Sequence, residues 1–132
     1  MDLVVDTSVL IAVLTSEPER VALVRQTRGA NLVAPASVHW EVGNALAAML
    51  KRHRIQRSQL KQVLKAYAQI PIRYMDVDLG TALDLAAEHG LYAYDAYVIA
   101  CASGQRCSLL SLDRELVRAA IAAGVKVLEV IR

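Results

Sequence analysis

Leu3-Val4-Val5-Asp6-Thr7-Ser8 is the stretch on which the reading of this chain turns: three apolar residues, two of them β-branched, run into a carboxylate and two hydroxyls. Successive side chains of a strand point to opposite faces, so an unbroken apolar run belongs to a strand covered on both sides. Leu109-Leu110-Ser111-Leu112-Asp113 repeats the pattern near the other end of the chain. Two such strands would carry their terminal acids to the carboxyl edge of a parallel sheet, where open α/β sheets bind ligands.

Outward from the first strand, over residues 2–6, the turn falls at Asp6-Thr7-Ser8 and residues 8–14 suit a helix. Pro18 fits an early helical position. Residues 19–28 then predict an amphipathic helix with Val21 and Val24 inward, Arg20, Arg25 and Arg28 outward, and Gly29 as its cap. A second strand follows at 31–34, and Pro35 is expected to open a helix reaching about Arg52, with Val38, Val42, Ala45, Leu46 and Met49 on its apolar side. Ser58 starts a helix over 58–69, Pro71 separates it from a third strand at 72–77, and Asp78 caps a helix ending near Gly90. A helix at 94–103, a strand at 108–112, a helix at 114–123 and, after Gly124, a last strand at 126–130 complete the pattern. This alternation demands right-handed crossovers. It predicts a single α/β domain over residues 1–132, with a parallel central sheet of about four to five strands flanked by helices on both faces.

With 132 residues, 55% of them hydrophobic, the chain can bury a substantial core without metal or disulfide staples. No apolar run approaches the roughly 18 residues needed to cross a bilayer, and Met1-Asp2 leads into a strand with no basic leader, so no membrane association and a cytoplasmic location are expected. Cys101 and Cys107 lie in apolar stretches with no His at ligand spacing and read as reduced core thiols.

Asp6, Glu41, Asp95 and Asp113 each stand where an apolar stretch ends or a helix begins. Carboxylates gathered in one cleft repel one another, and a hard divalent cation or a shared proton is the simplest offset. Each position also has a bland reading. Asp6 and Asp113 suit helix N-caps, Asp95 suits the favourable end of a helix dipole, and Glu41 suits an exposed helix face. Asn44 shares the face of Glu41, Thr7 and Ser8 flank Asp6, and Ser111 precedes Asp113 on the same side of the strand end, placed to hydrogen-bond a substrate phosphate or a water.

Setting those four acids aside leaves nine against fifteen Lys and Arg, a net +6 outside the cleft. Lys51, Arg52, Arg54 and Arg57 cluster with His53, and Lys61 and Lys65 follow at helical spacing. That run suits either a phosphate backbone or a solvated helix face. His39, His53 and His89 form no metal spacing. Trp40, Tyr92, Tyr94 and Tyr97 suit core, partner interface or base stacking, Tyr92 and Tyr94 being the best placed to stack.

Val5-Asp6-Thr7-Ser8, Glu41-Val42-Gly43-Asn44-Ala45-Leu46, Tyr94-Asp95-Ala96 and Leu110-Ser111-Leu112-Asp113-Arg114 together resemble, in order, the motifs of the PIN-domain family, over nearly the whole chain. Compact members of this length resemble VapC-type toxins of bacterial toxin–antitoxin pairs. That resemblance implies an endoribonuclease dependent on Mg²⁺ or Mn²⁺, with Asp6, Glu41, Asp95 and Asp113 as catalytic metal ligands and Thr7, Ser8, Asn44 and Ser111 as supporting or phosphate-binding groups. It further implies an RNA substrate met by Lys51, Arg52, Arg54 and Tyr94, a cognate VapB-type antitoxin, and a homodimer. The chain departs from the family's usual pattern at Tyr92, where many members carry a small hydroxyl residue three positions before the third acid.

Two other classes compete. Aspartyl-phosphate chemistry would suit an Asp after a strand, yet Asp6-Thr7-Ser8 lacks the second Asp that dehalogenase-type phosphatases place two residues on, and a receiver-like domain wants its acids distributed differently. A non-catalytic interaction protein would use the acids as caps and an apolar groove for a partner.

Overall fold

The computed structural model describes residues 1–131, and among them four strands and seven helices alternate. β1 (Asp2–Val5) leads through α1 (Thr7–Leu14) and α2 (Arg20–Thr27) to β2 (Asn31–Pro35), and α3 (Ser37–Lys51) and α4 (Arg57–Ala68) lead to β3 (Ile72–Met75). α5 (Leu79–His89) and α6 (Ala93–Gln105) then carry the chain to β4 (Ser108–Leu110), with α7 (Arg114–Ala122) last. All pairings are parallel and the order is β3-β2-β1-β4.

The chain thus winds outward from β1 to β3 and then returns to the opposite side of β1. The carboxyl ends of β1 and β4 therefore form the switch point of the sheet, the crevice where such folds bind ligands. Leu3, Val4 and Val5 are all buried although neighbours face opposite ways, so both faces of β1 are covered, as the unbroken apolar run requires. α6 lies over β1, β2 and β4, while α3 packs on β2 and against α1.

Four sequence expectations are corrected. The last strand shrinks to one bridge, Leu109 with Val127, because Gln26 claims the tail: its Nε2 donates to the Glu129 carbonyl at 2.7 Å and its Oε1 accepts from Ile131 N–H at 2.9 Å. Val21 and Val24 are exposed, at 67% and 41%; α2 rests on α1 and reaches the core through Leu23. Pro35 ends β2 opposite Met75 instead of opening α3. Gln56, not Ser58, precedes the first turn of α4, its N–H donating to Gln59 Oε1 at 2.8 Å. Gly90 closes α5 with φ +64°, in the left-handed region that spares glycine the cost other residues incur.

Leu3→Ala, at a fully buried position in a central strand, is expected to lower unfolding free energy by about 2–5 kcal/mol, a large share of the total stability of a small domain. A shifted urea midpoint at constant slope checks it.

Candidate active site

Asp6 follows β1, and its backbone turns directly into α1. One carboxylate oxygen, Oδ1, accepts Val9 N–H at 3.3 Å and Ser8 Oγ–H at 2.6 Å, while Oδ2 accepts Ser111 Oγ–H at 2.6 Å. Helix cap and site acid are therefore one residue. Ser8 and Ser111 in turn accept the N–H groups of Leu112 and Asp113, each at 3.0 Å, so the end of β4 is tied to the start of α1. Asp113 caps α7, its Oδ1 accepting from Glu115 N–H at 3.0 Å and Leu116 N–H at 3.3 Å, which leaves its other oxygen outside the cap.

Glu41 arrives from the second turn of α3 and Asp95 from the first turn of α6, both half-buried. Burial raises the Asp6 carboxyl above its ordinary range; the Ser111, Ser8 and Val9 hydrogen bonds oppose the rise and Asp113 adds to it. Burial first, then the charges of Asp6 and Asp95, push Glu41 up to about 7. Asp95 is raised by burial, Asp113 and Asp6. Asp6 and Asp95 thus each feel Asp113, and Glu41 feels Asp6 and Asp95, so the acids form a linked set with Asp6 and Asp95 between Glu41 and Asp113.

Three buried side-chain oxygens lack any hydrogen-bond partner among the described residues: Thr7 Oγ1, Ser37 Oγ and Glu41 Oε1. All stand at the carboxyl edge, immediately after β1 or in the first two turns after β2. Orienting Asp6 falls to Ser8 and Ser111, while the Thr7 hydroxyl is left unpaired. Ser37 is a group the sequence reading did not single out, and its position four residues before Glu41, on the same helix face, was the available signal.

Hard oxygen donors with raised pKa values and an unpaired buried carboxylate oxygen fit a divalent cation in kind. The acids are in coulombic range without ligand contact: no three His, Cys, Asp or Glu side chains among the described residues form a finished metal cage. Asn44 is exposed one turn beyond Glu41, and Tyr92 and Tyr94 stand 89% and 57% exposed beside Asp95. Lys51, Arg52 and Arg54 are exposed at the far end of α3, about 15 Å from Glu41 at ~1.5 Å per residue. Both cysteines are free, and burial pushes Cys101 up to about 11, so it is an inert core thiol.

The fold is a parallel α/β sheet with acidic side chains at and around its switch point. The PIN-domain family model matches residues 3–122, and the chain belongs to that family. No curated protein sequence matches the chain. Among solved structures it is similar to PAE2754 from Pyrobaculum aerophilum, at 24% identity and TM-score 0.66 over 96% of this chain and 92% of that one. It is also similar to VapBC2 from Rickettsia felis, solved bound to a DNA fragment from their promoter, at 11% identity and TM-score 0.68 over 97% and 98%. FitAcB from Neisseria gonorrhoeae gives 19% identity and TM-score 0.67 over 96% of each chain.

A carboxyl whose folded-state pKa is raised stabilises the fold fully below its unfolded value and loses that contribution as pH climbs through the folded value. For Glu41 the window runs from its ordinary 4.5 to about 7. Without divalent metal, stability is expected to fall across that window, and Glu41→Gln is expected to flatten the fall by a few degrees in Tm, the half-exposed setting of the group limiting the size. Thermal melts at pH 5 and pH 8 check it, with Mg²⁺ expected to raise Tm more at pH 8.

Proposed function

We propose that the chain is an endoribonuclease dependent on Mg²⁺ or Mn²⁺, the toxin of a VapBC-type pair, acting in the cytoplasm and held in check by a VapB-type antitoxin. The observation that carries the reading is the gathering of Asp6, Glu41, Asp95 and Asp113, with the unpaired oxygens of Thr7 and Glu41, at one switch point. Family membership and the likeness in fold to VapBC2 and FitAcB support the toxin part. No helix of the described residues is long and apolar enough to cross a membrane. A homodimer is part of the same reading.

Asp6, Glu41, Asp95 and Asp113 would hold the ion. Bound there, it would supply a water of lowered pKa and stabilise charge on the leaving oxygen. Ser8 and Ser111 hold both oxygens of Asp6 and so fix the orientation of its carboxylate. The Asp113 oxygen outside the cap would serve the same ion, exposed Asn44 offers a donor to a phosphate oxygen, the buried Thr7 hydroxyl supports the site from behind, and the exposed Tyr94 ring offers a face to an unpaired base. Lys51, Arg52 and Arg54 take the backbone beyond the cleft. Water attack in line with the leaving 3′-oxygen yields a 5′-phosphate and a 3′-hydroxyl.

Asp6→Asn and Asp95→Asn are expected to reduce cleavage of end-labelled RNA by more than about a hundredfold with the fold intact, and Ser111→Ala by about 10–100-fold, the usual cost of losing a group that orients a ligand. Purified, antitoxin-free protein assayed with Mg²⁺, with Mn²⁺ and with chelator checks this. Wild-type activity in Asp6→Asn would sink the site assignment.

A further inference from the structure

The chain has no acid between Glu41 and Asp76, yet that interval carries seven cations: Lys51, Arg52, Arg54, Arg57, Lys61, Lys65 and Arg73. The remainder holds eight cations against thirteen acids, so one quarter of the chain bears +7 and the rest −5, which together make the net +2. The basic excess is thus confined to α3, α4, the turn that joins them and β3. Arg73 is spoken for by Asp2 at 3.1 Å; the other six are exposed and form no ion pair among the described residues.

α3 and α4 run back along each other as an arm. Five residues join them, and at the opposite end His39 Nδ1 and the Tyr67 hydroxyl meet at 2.9 Å, with Tyr67 also bonded to Tyr74 on β3. α4 turns Leu60, Val63 and Tyr67 to the core. Arg57, Lys61 and Lys65, four residues apart, form a single stripe on its exposed side, with a rise of about 6 Å between cations. On α3, Lys51 lies seven residues beyond Asn44 and so on the same flank, which leads from the acidic edge to the tip of the arm.

We infer that the α3–α4 arm is a backbone-binding track for single-stranded RNA, in which the Arg57-Lys61-Lys65 stripe holds phosphates several nucleotides away from the cleaved bond. The inference rests on the nuclease reading for its choice of RNA and extends the contact area well past the cleft. A regular row of unpaired cations, with no acid to define a salt-bridged protein partner, is complementary to a regular row of phosphates, and each one engaged releases a counterion. The arm accordingly gives affinity and length preference, while sequence is read elsewhere.

The test is the triple variant Arg57→Gln, Lys61→Gln, Lys65→Gln, with its fold verified by an unchanged thermal melt. In chelator, anisotropy of a labelled 20-nucleotide RNA across a salt series is expected to lose about 2 from the log–log salt slope, near 0.7 per phosphate contact. With Mg²⁺, KM for long RNA is expected to rise about tenfold or more, while kcat/KM for a four-nucleotide substrate stays as in wild type. An unchanged slope and unchanged KM would make the stripe a solvated face and overturn the track. So would salt-sensitive self-association, or tighter arm-dependent binding of polyglutamate than of RNA. Arm-dependent RNA binding by a wild-type protein that cleaves nothing would retire the nuclease reading and leave the track standing.

Discussion

The near-complete burial of the Asp6 carboxylate, 6% exposed at the junction of β1 and α1, is the constraint around which the carboxyl edge is organised. A charge taken out of water must be met by donors, and this one is met by two hydroxyls and a helix N–H. Because Ser8 and Ser111 also accept backbone N–H groups from the end of β4, satisfying Asp6 fixes β4 against β1 at the switch point. The same bonds that make the burial tolerable hold the geometry of the site. An apolar residue would cost less there, and the fold gains in return an acid in one fixed orientation, ready for a cation.

Legibility in the sequence followed the range of the interaction. The caps at Asp6, Asp78 and Asp113 are made within three residues and were readable from spacing, as were the parallel sheet and the unbroken apolar runs of β1 and β4. The start of α4 escaped although its Gln56–Gln59 pairing is local, because a glutamine is a rarer cap than the nearby Ser58; the other misses depend on distant parts of the chain. Gln26 takes the tail's backbone groups from more than a hundred residues away, so a strand-like run at 126–130 became a single bridge. Val21 and Val24 have helical spacing, but spacing does not say that α2 sits outside α1 and meets the core only at Leu23.

The candidate site divides the same way. Asp6, Asp95 and Asp113 stood out because each sits beside a helix start, whereas Glu41 lies inside α3 and was singled out by the motif it shares with Asn44. That Ser111 would reach across to bond Asp6, rather than face the substrate alone, depends on β4 lying next to β1, an outcome of topology. Ser37 was invisible for a related reason: a serine near a helix start is ordinarily a cap, and only the fold reveals a buried hydroxyl with no partner.

α3 joins the two electrical halves of the molecule. Its second turn carries Glu41 and its last turn carries Lys51, where a cation meets the negative end of the helix dipole. Ten residues of helix hold the acidic edge and the cationic tip about 15 Å apart, beyond the roughly 8 Å over which exposed charges are felt at physiological ionic strength. At that separation the arm's field is not cancelled by the acids, nor is the acids' demand for a cation met by the arm's lysines and arginines. On the proposed reading, the length of one helix would let a single small domain attract a polyanion with one end and hold a metal at the other.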